Sequence, residues 1–151
     1  MLPPVSAKVS ARRRARVLAI SALYQMDLLA RSAEEVVREI REGVSDKPES
    51  LYYLEDAEQG PALDFFETVI RGVAENRELL DAEISRRLQN WTLDRLGMVE
   101  RAILRLGAYE LLFREEIPRE VTLNEMVELS KSFCDARSKD FVNGVLDAIQ
   151  R

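Results

Sequence analysis

The sequence predicts an all-α fold, a single-domain bundle of six to seven helices. Three observations carry this expectation. Glycine and proline are scarce, at 6 and 5 of 151 residues. Apolar residues recur at spacings of three and four along most of the chain, the repeat of helices that each bury one face. No segment alternates apolar and polar residues as a half-buried strand would. The 46% hydrophobic and 32% charged content is that of a soluble globular protein, long enough to build one proper core.

The helices follow in order. The first is expected from Ser10 to Leu29. On it Arg13, Val17, Ile20 and Tyr24 share one stripe, and Ala15, Leu18, Ala22 and Leu29 share another, so it is packed from two directions. Ser32-Ala33-Glu34-Glu35 reads as a capping box opening a short helix to about Glu42, which Gly43 ends. The polar, acidic stretch from Val44 to Gly60 reads as a loop holding one helical turn around Tyr52 and Tyr53. Pro61 suits the first position of a long helical segment, Ala62 to about Leu88, bent near Gly72 or Asn76.

Thr92 reads as the cap of a short turn containing Leu93 and Leu96. Met98 to Arg114 is the most apolar segment and the expected heart of the bundle, ended by Ile117-Pro118. Thr122-Leu123-Asn124-Glu125 reads as a second capping box, opening a helix to about Phe133. The loop Cys134 to Ser138 then leads to a last helix, Lys139 to Gln150, with Phe141, Val142, Val145, Leu146 and Ile149 facing inward. Residues 1–9 are expected to be a disordered leader and residues 10–151 one domain.

Composition excludes several function classes. There is no histidine and only one cysteine, Cys134. That removes the commonest general base, cysteine–histidine nucleophiles and the standard zinc sites. No phosphate-binding glycine loop, dinucleotide fingerprint or serine elbow is present. No catalytic residue, metal or cofactor is expected. There is no secretory signal and no apolar run long enough to span a bilayer. A single cysteine fits a reducing cytoplasm.

Charge is segregated. The first acidic residue is Asp27, and before it stand Lys8, Arg12, Arg13, Arg14 and Arg16. The chain is net −5 overall, so the 125 residues after Met26 carry −10. Four arginines within five positions, on a helix rather than a tail, point to nucleic-acid phosphate. They also oppose the helix dipole by a few tenths (~0.3 kcal/mol or more) per charge, a cost that a binding role explains.

Four blocks resemble the NusB family of transcription antitermination factors. They are Ala11 to Arg16 with Ala22-Leu23-Tyr24, Glu100 to Leu111, Val121 to Glu125 with Glu128 to Phe133, and Phe141-Val142-Asn143-Gly144-Val145-Leu146-Asp147. The blocks keep the family's order and spacing from about Ala11 to the C-terminus. The resemblance implies an all-helical, non-enzymatic protein. It implies binding to the boxA element of ribosomal RNA transcripts together with NusE, a small-subunit ribosomal protein. It further implies assembly with other Nus factors on RNA polymerase. Family members occur as monomers and dimers, so a homodimer stays open.

By the same resemblance, Arg12, Arg13, Arg14 and Arg16 contact RNA phosphates. Lys131, Phe133, Arg137, Ser138, Lys139, Phe141 and Asn143 form a second RNA-contacting cluster around the loop before the last helix, beside the arginine helix. Tyr24 and Glu100 face the protein partner. Cys134 departs from the family's usual glycine, a natural left-handed helix stop. Two other readings remain: a protein-interaction module in ribosome biogenesis, and an accessory domain of an rRNA methyltransferase. With Arg151 directly after the last expected helix, the latter's catalytic part is not expected.

Overall fold

The computed structural model describes residues 10–42 and 56–150. The expected leader to Val9, Gly43 and the turn around Tyr52 and Tyr53 lie outside the described residues. Seven α-helices are present there: α1 (Ala11–Leu29), α2 (Ala33–Glu42), α3 (Asp56–Glu75), α4 (Arg77–Ser85), α5 (Met98–Phe113), α6 (Arg119–Phe133) and α7 (Ser138–Asp147). A short 3-10 turn, Leu93–Arg95, stands between α4 and α5. No strand occurs among the described residues. The chain divides into two compact units, residues 1–71 and 72–151, with the division falling inside α3.

In the first unit, Ser10 caps α1 by accepting a hydrogen bond from the Arg13 amide at 3.2 Å. The helix is buried without interruption from Arg14 to Ile20, as two-sided packing requires. Leu29 is the exception to its expected stripe and is 61% exposed, because it lies in the last turn, where the helix is unwinding into Ala30. Ala30 ends the helix in the left-handed region at φ 53°. Ser32 caps α2, accepting from the Glu35 amide at 3.1 Å. The Arg71 guanidinium on α3 grips both carboxylate oxygens of Glu34 on α2, at 2.9 and 3.0 Å. Arg41 on α2 reaches back to Asp64 and Glu67 on α3.

Pro61 does not start α3. The helix begins at Asp56 and carries the proline inside it. At this sixth helical position the proline lacks the amide that would continue the i→i−4 ladder, so one backbone bond is missing there. The expected bend falls at Asn76, which separates α3 from α4.

In the second unit, α5 is the central element, packing against α4, α6 and α7, while α6 and α7 also pack together. Ten consecutive residues of α5, Ala102 to Leu111, are buried. Burial of each large apolar side chain there contributes about 1.5–3 kcal/mol. Gly107 lets α5 approach closely: a methyl group there would lie 2.6 Å from Leu146 Cδ1 on α7. Gly72 does the same for Tyr109, whose ring would meet an added carbon at 2.2 Å.

Two charged groups on this buried helix are satisfied by its neighbours. Arg105 forks onto Asp81 of α4 at 2.8 and 3.1 Å. Glu110 accepts from the Thr122 hydroxyl of α6 at 2.9 Å. That contact overturns the second capping box. Helix α6 begins at Arg119, after Pro118, and Thr122 spends its hydroxyl on a buried carboxylate instead of its own helix end. Thr92 makes no side-chain cap either. Its hydroxyl sits against Asp94 and helps hold that carboxyl below the ordinary range. Finally, Arg119 donates to the carbonyls of Asp147 and Ile149 at 2.5 and 2.7 Å, and Arg87 to that of Ala148 at 3.3 Å. Two guanidinium groups thus close the carbonyl end of α7 and fix the helix on which the candidate site stands.

Candidate nucleic-acid interface

The arginines of α1 do not share one environment. Each residue turns the helix by about 100°, so Arg12 and Arg16 lie on one face while Arg13 and Arg14 point elsewhere. Arg12 and Arg16 both place their guanidinium carbons over the ring of Phe65 on α3, at 4.8 and 5.2 Å from its centre. Arg12 is exposed and Arg13 half-buried. Arg14 is 0% exposed and Arg16 2% exposed, and both are engaged within the protein. Of the four arginines expected to reach phosphate, Arg12 and Arg13 are thus accessible and Arg14 and Arg16 are buried in the chain. Arg14 and Arg16 point to different sides of a helix that is packed on both, so each is buried, although Nε and Nη1 of Arg14 make no hydrogen bond among the described residues. Arg12 remains as a cation laid against an aromatic face and open to solvent, an arrangement worth about 0.5–2 kcal/mol.

The second predicted cluster lies wholly in the second unit. Helix α6 stops at Cys134, whose amide donates to the Ser130 carbonyl at 2.9 Å. Cys134 has φ −121° and ψ 179°, an extended conformation. No left-handed residue is needed, so cysteine replaces glycine there without strain. Asp135 Oδ1 accepts from the Arg137 amide at 2.9 Å, making an Asx turn that delivers the chain into α7. Ser138 opens α7, and its buried hydroxyl donates to Glu100 Oε2 at 2.7 Å. Burial, with Glu100 and Asp135 adding to it, pushes the Cys134 thiol above its ordinary value, against a smaller opposing effect of its hydrogen bond with Ser138.

Of the predicted residues, Arg137, Ser138, Phe141 and Glu100 come together around one open pocket of about 340 Å³. Phe141 is half-buried and Arg137 exposed. Lys131, Phe133, Lys139 and Asn143 do not line it. Lys131 is exposed and donates to Glu128 at 3.0 Å, a surface pair of little energetic weight. Lys139 and Asn143 are exposed, and Phe133 is half-buried. Glu100 was assigned to the partner face, yet in this structure it is bonded to the loop assigned to RNA. Tyr24, the other partner residue, is half-buried in the first unit.

Sequence reasoning missed two lining residues, Trp91 and Arg95. Trp91 is the chain's only tryptophan and is 55% exposed. It directly follows Asn90, which takes φ 65°, a left-handed conformation that asparagine tolerates. The available signal was an aromatic residue in the polar run Gln89-Asn90-Trp91-Thr92, outside any helical stripe, with an arginine four positions on.

Among the described residues there is no group of three or more potential metal ligands, and no helix long and apolar enough to cross a membrane. What the site offers is aromatic faces, exposed guanidinium groups and a few fixed hydrogen-bonding groups. Those are the means by which unpaired nucleic acid is held.

The pattern that defines the NusB family matches residues 13–151. A Bacillus licheniformis protein named transcription antitermination protein NusB is 44% identical over 141 residues, covering 92% of this chain and 95% of that protein. The solved structure of T. maritima NusB superposes with a TM-score of 0.73 at 34% identity, covering 97% of this chain and 90% of that one. A structure of the antitermination factors NusB and NusE in complex with double-stranded RNA has a TM-score of 0.73 at 29% identity, covering 91% and 94% of the two chains.

Proposed function

The chain belongs to the NusB family, and on that premise we propose that it is a transcription antitermination factor. In this reading it binds boxA-type RNA of ribosomal transcripts together with the ribosomal protein NusE. The observation that carries the RNA reading is the pocket in which Arg137 and Phe141 meet Trp91 and Arg95. Cations for phosphates and flat faces for splayed bases stand on one surface. Solved relatives pair NusB with NusE and with RNA, which supports the same partners for this chain.

Arg12 and Arg13 supply further phosphate contacts from α1, joined by Lys139 and, when released from Glu128, Lys131. Tyr24 and Glu100 are the contacts we propose for NusE. The acidic balance of the chain beyond Met26 suits a basic ribosomal protein, because opposite charge speeds encounter. The assembled pair then joins RNA polymerase and other Nus factors on the nascent transcript, which sets the work in the cytoplasm.

The test is affinity for boxA RNA with and without NusE. Cooperative tightening, equal when either ligand is added first, is the expected result. Binding of NusE with no RNA affinity under either condition would make the chain a protein-interaction module instead.

A further inference from the structure

We propose that the pocket beside Trp91 is a subsite for one unpaired nucleobase, with the Trp91 indole as its stacking platform. The inference rests on the RNA-binding reading above and adds a residue and a mode of contact to it. An indole is the largest apolar side chain, and leaving one 55% exposed forfeits much of its burial energy. Among the described residues it is the most exposed aromatic side chain. It does not stand in a purely apolar patch. The half-buried ring of Phe141 and the exposed guanidinium groups of Arg95 and Arg137 line the same pocket.

The acidic groups nearby are turned to structural use. Glu100 Oε2 holds the Ser138 hydroxyl, and Asp135 Oδ1 holds the Arg137 amide. Arg95 and Arg137 stand exposed at the pocket. A flat ring with guanidinium groups at its rim matches a base with its flanking phosphates, and the two carboxylates of the pocket, Glu100 and Asp135, are held back by hydrogen bonds with the loop. The space of about 340 Å³ falls at the lower end of the range for small-ligand clefts, roughly 300–1,000 Å³. It admits one base rather than a duplex.

The single tryptophan makes the test direct. The full chain is titrated with a short unpaired boxA oligoribonucleotide, following intrinsic fluorescence and, separately, the anisotropy of labelled RNA. Stacking quenches Trp91, with the same midpoint as the anisotropy. Trp91→Ala weakens binding by roughly ten-fold or more without changing the salt slope, and Trp91→Phe restores most of the affinity. Circular dichroism checks that both variants are folded. RNA that binds by anisotropy without quenching, and equally well to Trp91→Ala, overturns the subsite and leaves the RNA reading intact. No anisotropy change at all overturns both. Quenching by NusE alone, with none by RNA, assigns the pocket to the protein partner and overturns the proposal.

Discussion

The Ser138 hydroxyl donates a 2.7 Å hydrogen bond to Glu100 Oε2, tying the first residue of α7 to the first turn of α5. The bond joins a loop expected to meet RNA to a residue expected to meet protein. Its removal is expected to loosen the pocket. Ser138→Ala should lower stability by about 1–2 kcal/mol, since one partner is a carboxylate and the site is largely buried. Urea denaturation of the two single variants and of Ser138→Ala with Glu100→Gln measures the coupling. An interaction energy near zero would mean that the two side chains do not depend on each other.

The arginines of α1 are expected to separate into two classes. Arg12→Ala should reduce the slope of log affinity against log salt by about 0.7, the value for one phosphate contact on a single strand. Arg14→Ala and Arg16→Ala should instead lower stability, by about 2 kcal/mol or more, because each empties a buried site and strands its neighbours. Thermal unfolding set beside salt titrations distinguishes the classes. A folded Arg14→Ala protein with the same salt-slope change as Arg12→Ala would refute the division.

Arg119 is expected to matter to the last helix rather than to ligand directly. It donates to the carbonyls of Asp147 and Ile149 at the end of α7. Arg119→Met keeps much of the apolar stem and loses both bonds, which should cost about 1–3 kcal/mol. Amide exchange in α7 should quicken more than in α2. Uniform acceleration across the chain would point to global destabilisation instead.

Ala30 adopts φ 53° at the end of α1. An alanine in this region is strained by roughly 1–2 kcal/mol relative to glycine, offset in part by the extra freedom of glycine in the unfolded chain. Ala30→Gly should therefore stabilise the protein by about 0.5 kcal/mol. A rise in denaturation midpoint without a change in slope is the signature.

Cys134 is expected to be a poor nucleophile at neutral pH. Its thiol is pushed up chiefly by burial, with Glu100 and Asp135 adding to it. The protonated form is thus favoured in the fold. The corresponding stability is complete below the unfolded thiol's value and is lost as pH rises through the folded value, on the alkaline side of neutrality. Iodoacetamide should modify the native protein much more slowly than the urea-unfolded chain at pH near 7.5 (about a unit below the free thiol). Equal rates would contradict the shielding.

Most of the helices were legible because their evidence is local. The capping serine at Ser32 and the apolar run of α5 announce themselves within a few residues. The failures have the opposite character. Thr122 serves a carboxylate twelve positions earlier on another helix, which no short window contains. A buried arginine cannot be told from a solvated one by charge alone, so Arg14 and Arg16 were read as surface groups. Arg137, Ser138 and Phe141 were recognisable by family resemblance, whereas Trp91 and Arg95 join them only through tertiary folding.

The most direct test of the account is photo-cross-linking of a boxA oligoribonucleotide to the intact protein, followed by mass spectrometry of the linked peptides. The expected links fall both in the peptide containing Arg12 and Arg13 and in the segment from Arg137 to Phe141. Links found in neither segment, with RNA demonstrably bound, would contradict the assignment of these residues to the transcript.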